Sequence, residues 1–414
     1  MLTETSQRVV ARLGKADIII GIPSFNNDGT IGHVVRAVQA GLAKYFPGSK
    51  SVIVNADGGS KDGTREVVQR AAIEDLSSIL ISGKGDLPFR FATPYHGIPG
   101  KGSAFREIFA IASELNVRAC AVVDSDLRSI TPEWIELLVK PILQGTHDYV
   151  APLYKRHKYD GTITNNIIYP LTRALYGKPV RQPIGGDFGF SGSLAKFYLS
   201  KNVWETDVAR YGIDIWMTTT AIANDFRVCQ AFLGAKIHDP KDPAADLSSM
   251  LMQVVGATFD LMEEYESVWK QVRGSESIST FGFQYEVGVE PLQVNLDGML
   301  QRFRLGLKEL RDIWKIFIDH ESIESLQSAA ETDNENVRIS DETWVRIIYA
   351  FAIAYRRRLL SREHLLKSLT PLYLGKVASF VEEAKDMTAG EVEARIEMLC
   401  VTYEKSKSLL IDGW

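Results

Sequence analysis

Ala119-Cys120-Ala121-Val122-Val123-Asp124-Ser125-Asp126 is an apolar run that stops on two acids. An unbroken run of small and β-branched residues fits a strand buried on both faces, as in parallel sheets. Two similar runs precede it. Asp17-Ile18-Ile19-Ile20-Gly21-Ile22-Pro23 leads into residues 24–28, and Ser51-Val52-Ile53-Val54-Asn55-Ala56 leads into Asp57-Gly58-Gly59-Ser60. Between them come helical segments: Ile31, Val34, Val35 and Val38 share one face of residues 30–42, and further helices are expected near 65–72 and 103–115. This alternation predicts an α/β fold with a Rossmann-like, mostly parallel sheet covered on both faces. Ligands on such sheets bind beyond the carboxyl ends of the strands, which is where residues 24–28, 57–59 and 124–126 all fall.

Further along, residues 148–240 mix short strands with loops rich in Gly and Pro, and a helix is expected over 213–224. After about residue 243 the pattern turns helical, with segments at 244–270, 291–318, 341–355, 362–384 and 389–409. The polar stretch Glu331-Thr332-Asp333-Asn334-Glu335-Asn336 reads as a linker or loop. The expected organisation is a catalytic domain over 1–245 and a helical C-terminal region over 246–414.

Composition sets the class. In 414 residues, 45% are hydrophobic and 24% charged, which is ordinary for a globular protein. A net charge of -5 gives no reason to expect nucleic acid as a partner. Cys120, Cys229 and Cys400 are far apart, so neither a disulfide framework nor a zinc ribbon is indicated. The N-terminus lacks a signal-peptide core, and no apolar run approaches the roughly 20 residues of a membrane span. A cytoplasmic protein is expected. The apolar set Trp344, Ile347, Ile348 and Phe351 reads as core, or as the interface of a homodimer.

Asp124 and Asp126 put two carboxylates within reach of one hard divalent cation and leave positions for phosphate oxygens. Taken alone the pair reads equally as a solvated turn. His238 follows an apolar segment and is a candidate third ligand, with Asp239 as its rival. Pro99-Gly100-Lys101-Gly102-Ser103 precedes a helix: its glycines let backbone amides approach an anion and Lys101 adds a point charge, although the P-loop spacing is absent. In Gln182-Pro183-Ile184-Gly185-Gly186-Asp187, a double glycine allows close approach to a sugar ring and Asp187 accepts from hydroxyls. Asp214, in Tyr211-Gly212-Ile213-Asp214, reads either as a helix cap or as a sugar ligand.

In this order, the segments Ile22-Pro23-Ser24-Phe25-Asn26-Asn27, Asp57-Gly58-Gly59-Ser60, Pro99-Gly100-Lys101-Gly102, Asp124-Ser125-Asp126, Gln182–Asp187, Tyr211–Asp214 and His238 resemble GT-A glycosyltransferases. The resemblance covers about residues 16–245 and is nearest to the retaining mannosylglycerate synthase and glucosyl-3-phosphoglycerate synthase families. It implies that Pro23, Phe25, Asn27 and Gly58 line the nucleoside pocket, with Lys101, Asp124 and Ser125 near the ribose and diphosphate. Gly186, Asp187 and Asp214 would surround the donor sugar. Asp124, Asp126 and His238 would hold Mg²⁺ or Mn²⁺. Arg156, Thr162 and Thr164 would grip the carboxylate of glycerate or 3-phosphoglycerate. Two residues depart from the pattern: Asn27 stands where an acid is common, and Asp187 where Glu is usual. An additional Arg of phosphoglycerate-specific enzymes is Thr162 here, which favours free glycerate unless Lys155 or Lys158 replaces the charge.

The activity implied is transfer of glucose or mannose from a UDP- or GDP-hexose with retention, giving an α-glycosylglycerate of compatible-solute type. The residues at these positions do not rank glucose against mannose, and another small hydroxy acceptor fits the same pattern. Two rivals are a sugar-nucleotide-forming nucleotidyltransferase and a silent scaffold. The first needs a Gly-rich, Arg-containing first loop, which Ser24-Phe25-Asn26-Asn27 does not supply.

Overall fold

The computed structural model describes residues 2–71, 88–237, 243–290 and 292–414. Eight strands form one sheet in the order β3-β2-β1-β4-β6-β5-β7-β8. They are β1 Ile18–Ser24, β2 Ser51–Asp57, β3 Phe89–Pro94, β4 Ala119–Val122, β5 Tyr149–Lys155, β6 Phe188–Ser191, β7 Val228–Ala235 and β8 Thr280–Phe281. Strands β1 to β4 pair in parallel, β6 runs antiparallel to both β4 and β5, and β5, β7 and β8 are parallel again. The sheet is therefore mostly parallel, as the alternation predicted.

The three apolar runs are the three central strands. Every residue of β2 and β4, and all of β1 except Pro23, is buried. Such strands need cover on both faces, and helices Asp28–Tyr45, Lys101–Glu114 and Pro132–Leu143 supply it. Register aligns the carboxyl ends: Ser24 lies opposite Asp57, and Gly21 lies opposite Val122 with the chain running on to Asp124. Three loops thus leave the sheet side by side. Strand β3 was not expected from the sequence. Helix Lys101–Glu114 begins two residues earlier than expected, which makes Lys101 its first residue.

The chain divides into two compact units. The first comprises residues 1–155, 182–241 and 278–289, and the second comprises 156–181, 242–277 and 290–414. This differs from a single cut at residue 245. Residues 156–181 group with the helices because their polar atoms are satisfied there. The Asn166 carbonyl accepts from Trp344 Nε1 at 2.8 Å and from Tyr403 Oη at 3.3 Å. Lys158 Nζ donates to the carbonyls of Ala384 and Lys385 at 2.7 and 2.6 Å. Arg181 meets Glu393 through two nitrogens, at 2.9 and 3.1 Å. A π-turn, Thr164–Ile168, opens helix Tyr169–Tyr176.

The C-terminal helices follow the expected pattern with local changes. Helix Arg362–Ala384 matches its expected bounds, while the segment 389–409 is two helices, Ala389–Lys405 and Lys407–Gly413. Helix His320–Glu331 was not anticipated, and the polar stretch after it contains a single 3₁₀ turn, Asn334–Asn336, inside the second unit. Ser340, Ser361 and Thr388 cap three helices with their side chains, Thr388 in a reciprocal box with Glu391. Trp344, Ile347, Ile348 and Phe351 are fully buried, so they are core of this unit and not an exposed face. All three cysteines are free and buried. Among the described residues no helix is long and apolar enough to cross a membrane.

Candidate active site

The loop after β1 and the loop after β2 are stitched together by short polar side chains. Asn26, in the left-handed region at φ 54°, accepts through Oδ1 from Lys61 N at 3.0 Å, and its own N–H donates to Ser60 Oγ at 2.9 Å. Asn27 Oδ1 accepts from Phe25 N at 3.0 Å and from Ser125 Oγ at 2.8 Å. Asn27, expected in the nucleoside pocket, thus ties the first loop to the Asp-Ser-Asp loop. Asp57 is fully enclosed and accepts from Gly59 N, Ser60 N and Arg65 Nε at 3.0, 3.0 and 2.6 Å. Burial pushes its carboxyl up, but Ser60 and Arg65 outweigh it, and the net shift is downward.

Phe25 and Gly58, both expected in the nucleoside pocket, adjoin. A Cβ on Gly58 would lie 3.3 Å from the Phe25 ring and 2.9 Å from Tyr95 Oη. Phe25 is 60% exposed, so its ring is available to stack on a planar group. Tyr95 escaped the sequence reading. Its hydroxyl accepts from Gly100 N at 3.2 Å and so links this slot to the Pro-Gly-Lys-Gly loop.

The glycines of that loop have a packing reason that the sequence did not disclose. A Cβ on Gly102 would overlap the Val208 carbonyl, and one on Gly100 would come 2.6 Å from the Ala209 carbonyl. The close approach to residues 208–209 brings Lys101 beside Asp214. Gly212 occupies the cap position of helix Ile213–Ala223, so Asp214 is a first-turn residue and not the cap.

The charged centre of the first unit is Asp124. Its Oδ1 lies 2.8 Å from Lys101 Nζ, and its Oδ2 lies 2.8 Å from Lys236 Nζ. Lys101 Nζ is also 3.2 Å from Asp214 Oδ1 and 3.4 Å from the Gly186 carbonyl. Lys236, only 5% exposed, continues to Asp187 Oδ2 and the Gly185 carbonyl, each at 2.8 Å. Asp187 is fully buried and accepts from Asp124 N at 2.8 Å and from the Tyr154 hydroxyl. Gly186 makes this possible: at φ +89° it turns the chain, and a side chain there would strike the Asp124 carboxylate.

The carboxylates respond in opposite directions. Burial pushes Asp124 up, yet Lys101 and Lys236 together hold it well below the usual aspartate range. Burial raises Asp187, with Lys236 opposing and Asp124 adding to the rise. Burial also raises Asp214, against the pull of Lys101. Lys101 itself is held protonated: burial disfavours its charge, but Asp124 and Asp214 prevail. Acids separated in this way divide naturally into a permanent anion and groups that handle protons or hydroxyls.

Lys101, Asp124, Gly186, Asp187 and Asp214 come together as expected, and Ser125 and Asn27 join them to the Phe25–Gly58 slot. Asp126 is partly exposed next to Asp124. His238 and Asp239 lie outside the described residues, and among those described no group of three His, Cys, Asp or Glu is set to hold a metal. Lys236 was missed, although a lysine directly after a buried eight-residue strand is a visible signal. Arg156, Thr162 and Thr164 belong to the second unit. There Arg156 lies 3.3 Å from Asp160, and the Thr162 and Tyr373 hydroxyls are 2.6 Å apart. The Lys158 ammonium caps the carbonyls ending helix Arg362–Ala384.

Residues 19–204 match the model of glycosyl transferase family 2. Asp214 and Lys236 lie beyond that match and rest on geometry. No curated protein sequence matches the chain significantly. Among solved structures the chain is similar to glucosyl-3-phosphoglycerate synthase from Mycobacterium tuberculosis. For the complex with Mn²⁺, UDP and glucosyl-3-phosphoglycerate, identity is 21%, coverage 61% of this chain and 83% of that chain, and TM-score 0.45. For the complex with Mn²⁺, UDP-glucose and phosphoglyceric acid the values are 21%, 62%, 84% and 0.46. For the complex with Mg²⁺ and UDP they are 20%, 63%, 84% and 0.45. The chain has a mostly parallel α/β sheet of the GT-A type, and its residues 19–204 match the glycosyl transferase family 2 model.

Proposed function

We propose that the chain is a glycosyltransferase that moves a hexose from a nucleoside-diphosphate donor to a small hydroxy acid such as glycerate, using Mg²⁺ or Mn²⁺. The observation that carries this reading is the ring of Lys101, Asp124, Asp187, Asp214 and Lys236, joined through Ser125 and Asn27 to the Phe25–Gly58 slot. Asp124 and Asp126 are hard oxygen donors two residues apart, which suits a small cation bound by one or two carboxylates plus substrate phosphates. His238 is the proposed third ligand. When bound, the cation supplies Lewis-acid neutralisation of the departing diphosphate.

The chain's own residues do the rest. Lys101 stands at the positive end of a 14-residue helix, where a leaving diphosphate gains from both its ammonium and the helix N-terminus. Phe25 stacks on the base, and Gly58 leaves room for it. Asp214 accepts from sugar hydroxyls, and Asp187 orients them through Lys236 and the Asp124 main chain that it holds. Asp187 is fully engaged by Lys236, Tyr154 and Asp124 N, so it is not free to act as a covalent nucleophile. The acceptor hydroxyl then attacks on the face the diphosphate leaves, giving retention, and the departing phosphate oxygen takes its proton. Arg156 and Thr164 are proposed for the acceptor carboxylate. With Thr162 held by Tyr373 and Lys158 by main-chain carbonyls, the unphosphorylated acceptor is favoured.

The test is a panel of UDP-glucose, GDP-glucose and GDP-mannose against glycerate and 3-phosphoglycerate, with Mg²⁺ or Mn²⁺. Proton NMR of the product is expected to show an α-linked glycosylglycerate. An inverted anomer would remove the same-face mechanism and make Asp214, ahead of the enclosed Asp187, the general base. No transfer from any of the three donors would remove the reading.

A further inference from the structure

Lys236 is a buried charged group of the ring to which the proposed mechanism gives no step. The contacts of its ammonium include Asp124 Oδ2 beyond β4, and Gly185 O and Asp187 Oδ2 in the double-glycine turn, each at 2.8 Å. It also lies 5.2 Å from the centre of the Tyr154 ring. A Cβ on Gly186 would sit 3.0 Å from this nitrogen, so the turn is folded tightly around it. With Lys101 on Oδ1 and Lys236 on Oδ2, each oxygen of Asp124 already accepts from an ammonium.

We propose that Lys236 is a positioning residue whose ammonium bridges Asp124 and Asp187 in the resting protein and competes with the divalent cation for Asp124. This rests on the cation-dependent reading above. A divalent ion coordinated by Asp124 and the lysine ammonium on the same carboxylate are like charges in a buried site, and they repel. Cation binding therefore requires the Lys236 ammonium to withdraw from Asp124 Oδ2, while the Asp187 and Gly185 oxygens still hold it. Such a device keeps two buried carboxylates together before substrate arrives and makes the bare site bind metal weakly. Metal and donor then bind together, because the diphosphate offers the displaced ammonium a new anion.

Mn²⁺ binding to the chain without nucleotide, followed by loss of the free-ion EPR signal, tests this without turnover. K236M is expected to bind Mn²⁺ at least about tenfold more tightly than wild type, since removing the ammonium leaves Asp124 and Asp187 sharing no cation; tenfold corresponds to about 1.4 kcal/mol. K236R, which keeps the charge, is expected to gain nothing. A merely structural lysine would leave K236M equal to or weaker than wild type, and that result overturns the inference alone. Failure of wild type, K236M and K236R all to bind Mn²⁺ overturns the cation reading and the inference with it. A second measurement uses wild type only, so it holds whether or not the methionine variant folds. Acetylation of Lys236 by acetic anhydride, read by mass spectrometry, is expected to rise severalfold on Mn²⁺ saturation, and an unchanged rate counts against displacement.

Discussion

Replacing Gly186 with Ala probes the turn on which the charged centre depends. Two costs combine. The residue sits at φ +89°, where an L side chain is strained by about 1–2 kcal/mol. The added Cβ would also overlap the Asp124 carboxylate and come 3.0 Å from both Asp124 Cγ and Lys236 Nζ. Forcing a methyl group into a packed site costs typically about 1–3 kcal/mol. The sum is about 2–5 kcal/mol, or a fall in melting temperature of about 4–20 °C at ~2–4 °C per kcal/mol for a unit of this size. Gly145 provides the control, because it has φ +70° and nothing within 4 Å of its Cβ. G145A should therefore show the backbone strain alone, about 1–2 kcal/mol. Thermal melts of the two variants, followed by circular dichroism, give the difference. Equal melting temperatures would refute the claim that Gly186 is needed to make room for Asp124 and Lys236.

Three further outcomes are expected. R156A should raise the acceptor KM by about 10–100-fold, the worth of a hydrogen bond to a charged group, and leave the donor KM nearly unchanged; equal effects would refute the acceptor assignment. EDTA should abolish turnover and added Mn²⁺ restore it, whereas turnover that survives chelation would remove the cation from the mechanism. In the second unit, Asp341 lies 2.9 Å from Lys376 and meets Arg395 at 2.7 and 2.8 Å. Burial pushes its carboxyl up, but Arg395 and Lys376 prevail and hold it below the ordinary aspartate value. Its folded pKa is depressed, so this contribution is complete above the ordinary aspartate range and is lost as the pH falls through the folded value. D341N should cost about 3–5 kcal/mol at neutral pH and flatten the acid side of the stability profile; an unchanged acid limb in urea melts taken from pH 7 to 3 would contradict this.

The sheet and half of the site were readable from the sequence for one reason. Strands buried on both faces carry their signal locally, and β1, β2 and β4 are such strands. Their loops hold Asn27, Gly58, Asp124 and Ser125, so convergence followed from topology. Strand β3, Phe-Arg-Phe-Ala-Thr-Pro, is an edge strand with mostly half-buried residues and lacks that signal. Lys236 was hidden because its partners, Asp124 and Asp187, are 112 and 49 positions away, and attention falls on the histidine two residues later. The Pro-Gly-Lys-Gly glycines were read as making way for an anion; that they also make way for the backbone of residues 208–209 has no local signal. The grouping of residues 156–181 with the helices depends on Trp344, Glu393 and Tyr403, partners that no local pattern announces.

That last grouping bears on how the polypeptide matures. On a ribosome, residues 156–181 emerge well before the helices that satisfy them, and Tyr169 and Arg173 must wait for Glu397 and Glu404, some 230 positions later. Until residues 389–405 are made, this inserted segment of the nascent chain has apolar side chains without the helix that covers them, the kind of species that chaperones hold. A nonsense mutation between residues 290 and 389 would leave it permanently in that condition, even though every residue of the first unit had been made.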